Sequence, residues 1–258
     1  MGIELDVRKM NDSLNKFVTK PNLAPPSNAY LLTVKADALR LANLHREALV
    51  KYLNVLLIER ENPDALYGLG VCYRYLENYD KSIETLEHAV QVREGHFETY
   101  YELGISYLLK GVPCMAIKNL VQAIQINTEH SDAQIQLALA HELCEETDMA
   151  LLIYNRIIEV KPSYLKAYHH KAALLMSMGQ YREACNTFNE ILKRNPDYHR
   201  AYMGIGICFE KLNKPTDALR YFRKFIEKKP HSQHADFINK KIKELKSLKN
   251  ENSHLRLV

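Results

Sequence analysis

One periodicity limits what this 258-residue chain can fold into. Small residues stand at Ala36, Gly70, Gly104, Ala138, Ala172 and Gly206, each 34 positions from the last with no insertion between them. Twelve positions on runs a second small column, Ala48, Ser82, Ala116, Ala150, Ala184 and Ala218. Four further comes a large apolar column, Tyr52, Leu86, Leu120, Tyr154, Phe188 and Phe222. A fixed period of roughly 20 to 50 residues is the mark of stacked supersecondary units.

Within one period the apolar spacing is that of two amphipathic helices. Tyr100, Leu103, Gly104 and Tyr107 share one helical face, and Ala116, Leu120 and Ala123 share another. Breakers fall between the two helices at Gly111 and Pro113, at Gly179, and from Asn213 to Pro215. Between units stand Asn62-Pro63, Lys161-Pro162, Asn195-Pro196 and Lys229-Pro230, where proline ends one helix or opens the next. Glycine costs about 1 kcal/mol against alanine inside a helix, so its recurrence marks a demand for close helix approach. A single hairpin cannot bury both of its faces, so the units must stack.

Tyr100-x2-Leu103-Gly104-x2-Tyr107 followed by Ala116-x3-Leu120-x2-Ala123 resembles the tetratricopeptide consensus. The fifth and sixth units repeat it with Tyr181, Ala184, Phe188, Pro196 and with Ala218, Phe222, Pro230. The fourth departs at Gln134 and His141, and the first has Lys35 where Leu is usual. The resemblance implies an all-α, right-handed superhelical solenoid of six helix-turn-helix hairpins, at residues 29–62, 63–96, 97–130, 131–164, 165–198 and 199–232. Residues 233–258 read as a basic amphipathic capping helix and tail, its alternative role being to touch an anionic membrane or a partner. Residues 1–28 read as a helix bearing Val7, Met10, Leu14 and Phe17, then a linker stiffened by Pro21, Pro25 and Pro26. That segment caps the first hairpin, or else occupies the groove or recruits a partner.

Composition narrows the function. A hydrophobic share of 47% with 26% charged residues is that of a globular chain, and a net charge of +4 from 35 basic and 31 acidic residues is too balanced to predict a nucleic-acid partner. Five cysteines without CxxC spacing predict reduced thiols. No apolar stretch has the length of a secretory or membrane-spanning segment, so a soluble cytoplasmic protein without integral membrane association is expected. His141-Glu142 begins like a zinc-protease helix, but Glu145 stands where the second histidine belongs. The adjacent His169 and His170 point to different helix faces. Neither a cofactor, a metal nor a catalytic residue is expected, and the chain reads as no enzyme.

The resemblance further implies that the first helix of each hairpin lines a concave face. The candidate partner-binding residues there are Tyr67, Val71, Arg74 and Tyr75; Tyr101, Glu102, Ile105 and Leu109; Ile135, Gln136 and Leu139; and His169 and His170. Tyrosine suits such a face because it offers large contact area at little entropic cost. Helix entries change from acidic (Asp64, Glu98, Asp132) to basic (Lys166, Arg200). The Lys/Asn/Arg clamp that holds C-terminal carboxylates in some members is missing, and so is the asparagine ladder of repeat-bearing glycosyltransferases, replaced by Val34, Gly68, Glu102, Gln136, His170 and Gly204. An adaptor or scaffold is expected, holding a helical or extended apolar segment of another protein around Tyr67, Tyr75, Tyr101, Ile105 and Leu109. The alternative is a self-assembling structural protein that forms homo-oligomers through its end repeats or N-terminal helix.

Overall fold

Several helices start at a side-chain cap or a first-turn proline. Ser27 accepts a hydrogen bond from the Tyr30 amide at 3.1 Å, Asn62 accepts from the Ala65 amide at 2.9 Å, and Pro63, Pro113 and Pro215 occupy first-turn positions where the missing N–H costs nothing. A computed structural model describes residues 27–254, with side chains to residue 247. The expected N-terminal helix and linker through Pro26, and residues 255–258, lie outside the described residues.

Thirteen helices and no strand occur among the described residues. They are α1 (Asn28–Leu41), α2 (His45–Ile58), α3 (Pro63–Tyr75), α4 (Tyr79–Val92), α5 (Phe97–Lys110), α6 (Pro113–Ile126), α7 (Ser131–Leu143), α8 (Thr147–Val160), α9 (Leu165–Ser177), α10 (Tyr181–Arg194), α11 (His199–Lys211), α12 (Pro215–Lys228) and α13 (Ala235–His254). The chain divides into two compact units, 1–140 and 141–258, with α7 running across the boundary. In the first unit α1 pairs with α2, α3 with α4 and α5 with α6, and α2 and α4 each pack on the hairpin that follows. In the second unit α8 packs on the α9–α10 hairpin, which is followed by α11–α12 and then α13.

The small and large columns meet as plugs and sockets. A Cβ placed on Gly70 would lie 2.5 Å from Leu86 Cγ, and one on Gly104 would lie 2.6 Å from Leu120 Cγ, each across its own hairpin. Gly206 faces Phe222 in the same way, whereas Gly68 and Gly204 face Tyr52 and Phe188 of the hairpin before. The large side chain therefore fills the space between two successive first helices, and Tyr52, Leu86, Leu120, Tyr154 and Phe222 are completely buried. The C-terminal helix behaves as a lid on the last hairpin. Ile238 and Leu245 of α13 are buried in one cluster with Phe222 and Phe225 of α12, and Lys241 reaches Glu210 of α11 at 2.8 Å.

All six turns inside hairpins share one backbone shape. Asn43, Glu77, Gly111, Glu145, Gly179 and Asn213, one repeat apart, have φ values of 61, 60, 81, 63, 77 and 55°. In each, the amide of the following residue donates back to a carbonyl five residues earlier, as Val112 does to Tyr107 and Lys214 to Phe209. Only two of these left-handed positions carry glycine. The other four hold the conformation because the closing hydrogen bonds and the packed helices impose it.

Candidate functional site

The first helices α1, α3 and α5 carry side chains that the packing leaves part-exposed, and these gather around rings. Tyr67 on α3 meets His96 edge-on at 5.5 Å. Tyr101 on α5 meets His130 at 5.3 Å, and Phe97 stacks on Tyr101 at 5.7 Å while contacting His130 at 4.6 Å. In the second unit His169 on α9 meets Tyr198 at 5.9 Å. In all three pairs a ring on a first helix touches a ring at the entry of the next first helix, by the same step along the chain. The result is an aromatic ladder built by the repeat itself. Such contacts contribute about 0.5–1.5 kcal/mol each beyond area burial and stiffen the rungs.

A buried ion pair braces the first two rungs. Arg74 Nε donates to Glu102 Oε2 at 2.6 Å, joining α3 to α5, with only 12% and 13% of the two side chains exposed. The Arg74 guanidinium also lies 4.1 Å from the centre of the Tyr75 ring, which stacks at 4.3 Å on His45 of α2. Tyr75, half exposed, is thus fixed in orientation by neighbours from two hairpins. Burial, aided by the nearby Glu102 carboxylate, pushes the Tyr67 hydroxyl up to about 12. Burial beside Asp132 and Glu102 does the same for Tyr101. Both phenols stay neutral hydrogen-bonding groups at any physiological pH.

Beside Tyr67 a cavity of about 660 Å³ opens between α1, α3 and the entry to α5. Its floor is a hydrogen-bonded network in which Tyr52 donates to Asp37 Oδ1 at 2.6 Å, Arg40 Nε donates to the Tyr52 hydroxyl at 3.1 Å, and Arg40 pairs with Asp37 at 3.2 Å. The plug residue of the first hairpin thus also orients the arginine that lies over the Tyr67 ring. His96 at the rim is held below its usual range, chiefly by burial and then by Arg93, so it is neutral near pH 7.

The sequence-predicted residues divide by burial. Tyr67, Arg74, Tyr75, Tyr101, Glu102, Ile105 and Leu109 form one part-exposed face in the first unit, and Gln136 and Leu139 on α7 are likewise part-exposed. Val71 and Ile135 are corrected to packing residues, at 2% and 3% exposure, because their positions turn toward neighbouring helices and leave a partner almost no surface. His169 and His170 are part-buried in the second unit, His169 against Phe188 at 5.9 Å and His170 stacked on Tyr154 at 6.0 Å. Burial, with His170 and Arg200 nearby, lowers His169 to about 4, and its Nδ1 is buried without a hydrogen-bond partner in the structure. His141 and Glu142 serve structure: His141 Nδ1 lies 2.6 Å from Glu146, and Glu142 accepts from the buried Tyr154 hydroxyl at 2.6 Å.

Sequence reasoning missed His45, Phe97, His130 and the Asp37–Arg40 pair. A signal for part of the ladder existed in the repeat column Asn62, His96, His130, Tyr164 and Tyr198, which carries rings just before four first helices.

Models of the tetratricopeptide repeat match residues 63–96 and 171–232. The matched segments and the helical hairpins between and around them agree in register. The chain carries tetratricopeptide repeats at these two stretches. Solved structures carry the same fold. PilW, described as a widely conserved type IV pilus biogenesis factor, aligns with TM-score 0.71 and 16% identity over 83% of this chain and 99% of its own. MamA aligns with TM-score 0.56 and 26% identity over 63% of this chain and 95% of its own. YrrB, described as a tetratricopeptide-repeat protein with an unusual peptide-binding site, aligns with TM-score 0.54 and 17% identity over 73% and 97%. None of the curated proteins matches the sequence. Tetratricopeptide repeats are in general protein-interaction scaffolds, and the repeats of this chain support that general role for it. Among the described residues no helix is long and apolar enough to cross a membrane.

Proposed function

We propose that this protein is an adaptor that holds a helical or extended apolar segment of another protein along the first-helix face of residues 27–140. The observation that supports this most is the braced rung: Tyr67, Tyr75 and Tyr101 are part-exposed, yet each ring is oriented by a histidine neighbour and the Arg74–Glu102 pair ties α3 to α5. A surface whose rings are fixed before binding loses little entropy when a ligand arrives, which is what makes aromatic residues strong anchors. Ile105 and Leu109 extend the face along α5 with apolar surface, and a ligand with apolar side chains at helical or alternating spacing meets both.

Affinity capture tests the reading, followed by calorimetric titration of the captured segment onto wild type and onto Tyr67→Ala/Tyr101→Ala. Removing two anchors is expected to weaken binding by about 2–4 kcal/mol, a 30- to 1,000-fold loss, with the helical signal unchanged. Unchanged affinity in a folded double variant sinks the proposal.

A further inference from the structure

The outer face of α2 breaks the pattern of the repeat. Val50, Leu53 and Leu57 lie within one narrow stripe of that helix and are 54%, 40% and 83% exposed. One repeat on, the same positions hold Glu84, Glu87 and Gln91, and in the sixth unit Arg220, Arg223 and Glu227, all facing solvent. The third and fourth units keep one apolar residue each there, Val121 and Leu152. Only the first second-helix is apolar along the whole stripe. Three exposed aliphatic side chains in register cost solvation free energy unless something covers them.

We infer that the stripe on α2 is covered by the chain's own preceding segment, through Val7, Met10, Leu14 and Phe17. Three observations favour this occupant. First, the hairpin delivers the segment to the right end of α2: α1 and α2 are antiparallel, and Ser27 at the start of α1 lines the cavity beside Tyr67 together with Glu59, two residues past Leu57. Second, the lengths agree. Val50 to Leu57 spans about 10 Å of helix, and the chain from Val7 to Phe17 is longer than that at any regular backbone rise, while residues 18–26 can bridge up to about 28 Å. Third, the stripe suits a tethered ligand better than a free one. It offers on the order of 300 Å² of apolar surface, less than half of the ~800 Å² per partner of a stable dimer, whereas a tether supplies millimolar effective concentration without further contacts. The inference is independent of the groove proposed above, since the stripe belongs to a second helix and shares no residue with the tyrosine face.

The absence of tryptophan from the sequence makes the test direct. Leu57→Trp places a single indole on the stripe, at a side chain exposed enough for the change to leave the fold intact. In the full chain its emission is expected to be blue-shifted and its acrylamide quenching at least threefold weaker than in the same variant carrying Leu14→Ser and Phe17→Ser. A second measurement avoids substitution at residue 57. Leu14→Ser/Phe17→Ser alone is expected to raise binding of an apolar fluorescent dye, and adding Val50→Glu, Leu53→Glu and Leu57→Gln, the residues of the second unit, is expected to abolish that rise. Equal quenching in both backgrounds, or no gain of dye binding, overturns the inference. Indole shielding that appears only at concentrations where sedimentation detects a dimer also overturns it, by assigning the stripe to a second copy.

Discussion

Replacing Arg74 by methionine isolates the energetic role of the brace between α3 and α5. The Arg74 side chain is 12% exposed and that of Glu102 13%, so the substitution leaves Glu102 charged in a site with little water and, among the described residues, no other cation at hydrogen-bond distance. Stranding one member of a fully buried pair costs about 3–5 kcal/mol, and the residual exposure here lowers the expectation to about 2–3 kcal/mol. Arg74→Met/Glu102→Met removes both charges and restores apolar contact. The main loss that remains is the contact of the guanidinium with Tyr75, worth about 0.5–1 kcal/mol. The double variant is therefore more stable than the single Arg74→Met chain, with a coupling energy of about 2 kcal/mol from the four-chain cycle. Urea unfolding followed by far-ultraviolet circular dichroism at pH 7 measures it. Repeating the cycle in 0.5 M salt distinguishes a shielded pair from a surface one, because the exposed Lys228–Asp197 pair, at 40% and 79% exposure, should lose its coupling while Arg74–Glu102 keeps most of its own. A single-variant cost below about 0.5 kcal/mol, or a coupling that salt removes, refutes the account of the brace.

Four further outcomes are expected. Gly104→Ala forces a Cβ to 2.6 Å from Leu120 Cγ, an overpacking cost of about 1–3 kcal/mol against a helix-propensity gain of about 1, so thermal melts should show net destabilisation. Gly111→Ala meets no atom within 4 Å yet should still cost about 1 kcal/mol through its φ of 81°. Tyr154→Phe removes the donor to Glu142, whose carboxyl burial already raises, and should cost about 1–2 kcal/mol in urea unfolding at pH 7. His169 sits at about 4 in the fold against about 6.5 when unfolded, so the unfolded chain takes up the proton first. Stability falls as pH drops from about 6.5 to about 4 and levels off below; after discounting for partial exposure the loss is about 1–2 kcal/mol, and His169→Phe should flatten that part of a stability–pH curve.

The fold was legible because packing at a fixed period leaves columns: Gly70, Gly104 and Gly206 are glycine for the reason that Leu86, Leu120 and Phe222 stand opposite them. The candidate face was legible only in part. Tyr67, Tyr75 and Tyr101 follow from residue type and helix position, but Val71 and Ile135 occupy the same helices at angles that turn them inward, and a column of residue types does not carry that angle. His96, His130 and Tyr198 escaped because they precede the helices, where no amphipathic pattern draws attention to them. Glu77 and Glu145 escaped for a related reason. Their left-handed backbone is imposed by the hydrogen bonds around them, and glutamate by itself is no turn signal.

That shared turn conformation bears on how such a protein can lengthen or shrink. Six turns with one geometry act as a reading frame in space. A gain or loss of a whole 34-residue unit presents every following helix at the angle it had before, so each rung still finds its ring. One residue gained inside a helix swings every later side chain of that helix by about 100°, taking plug from socket and tyrosine from solvent. Two kinds of change therefore keep the frame in place: gain or loss of a whole unit, and retuning of single rungs such as Tyr101 or His169.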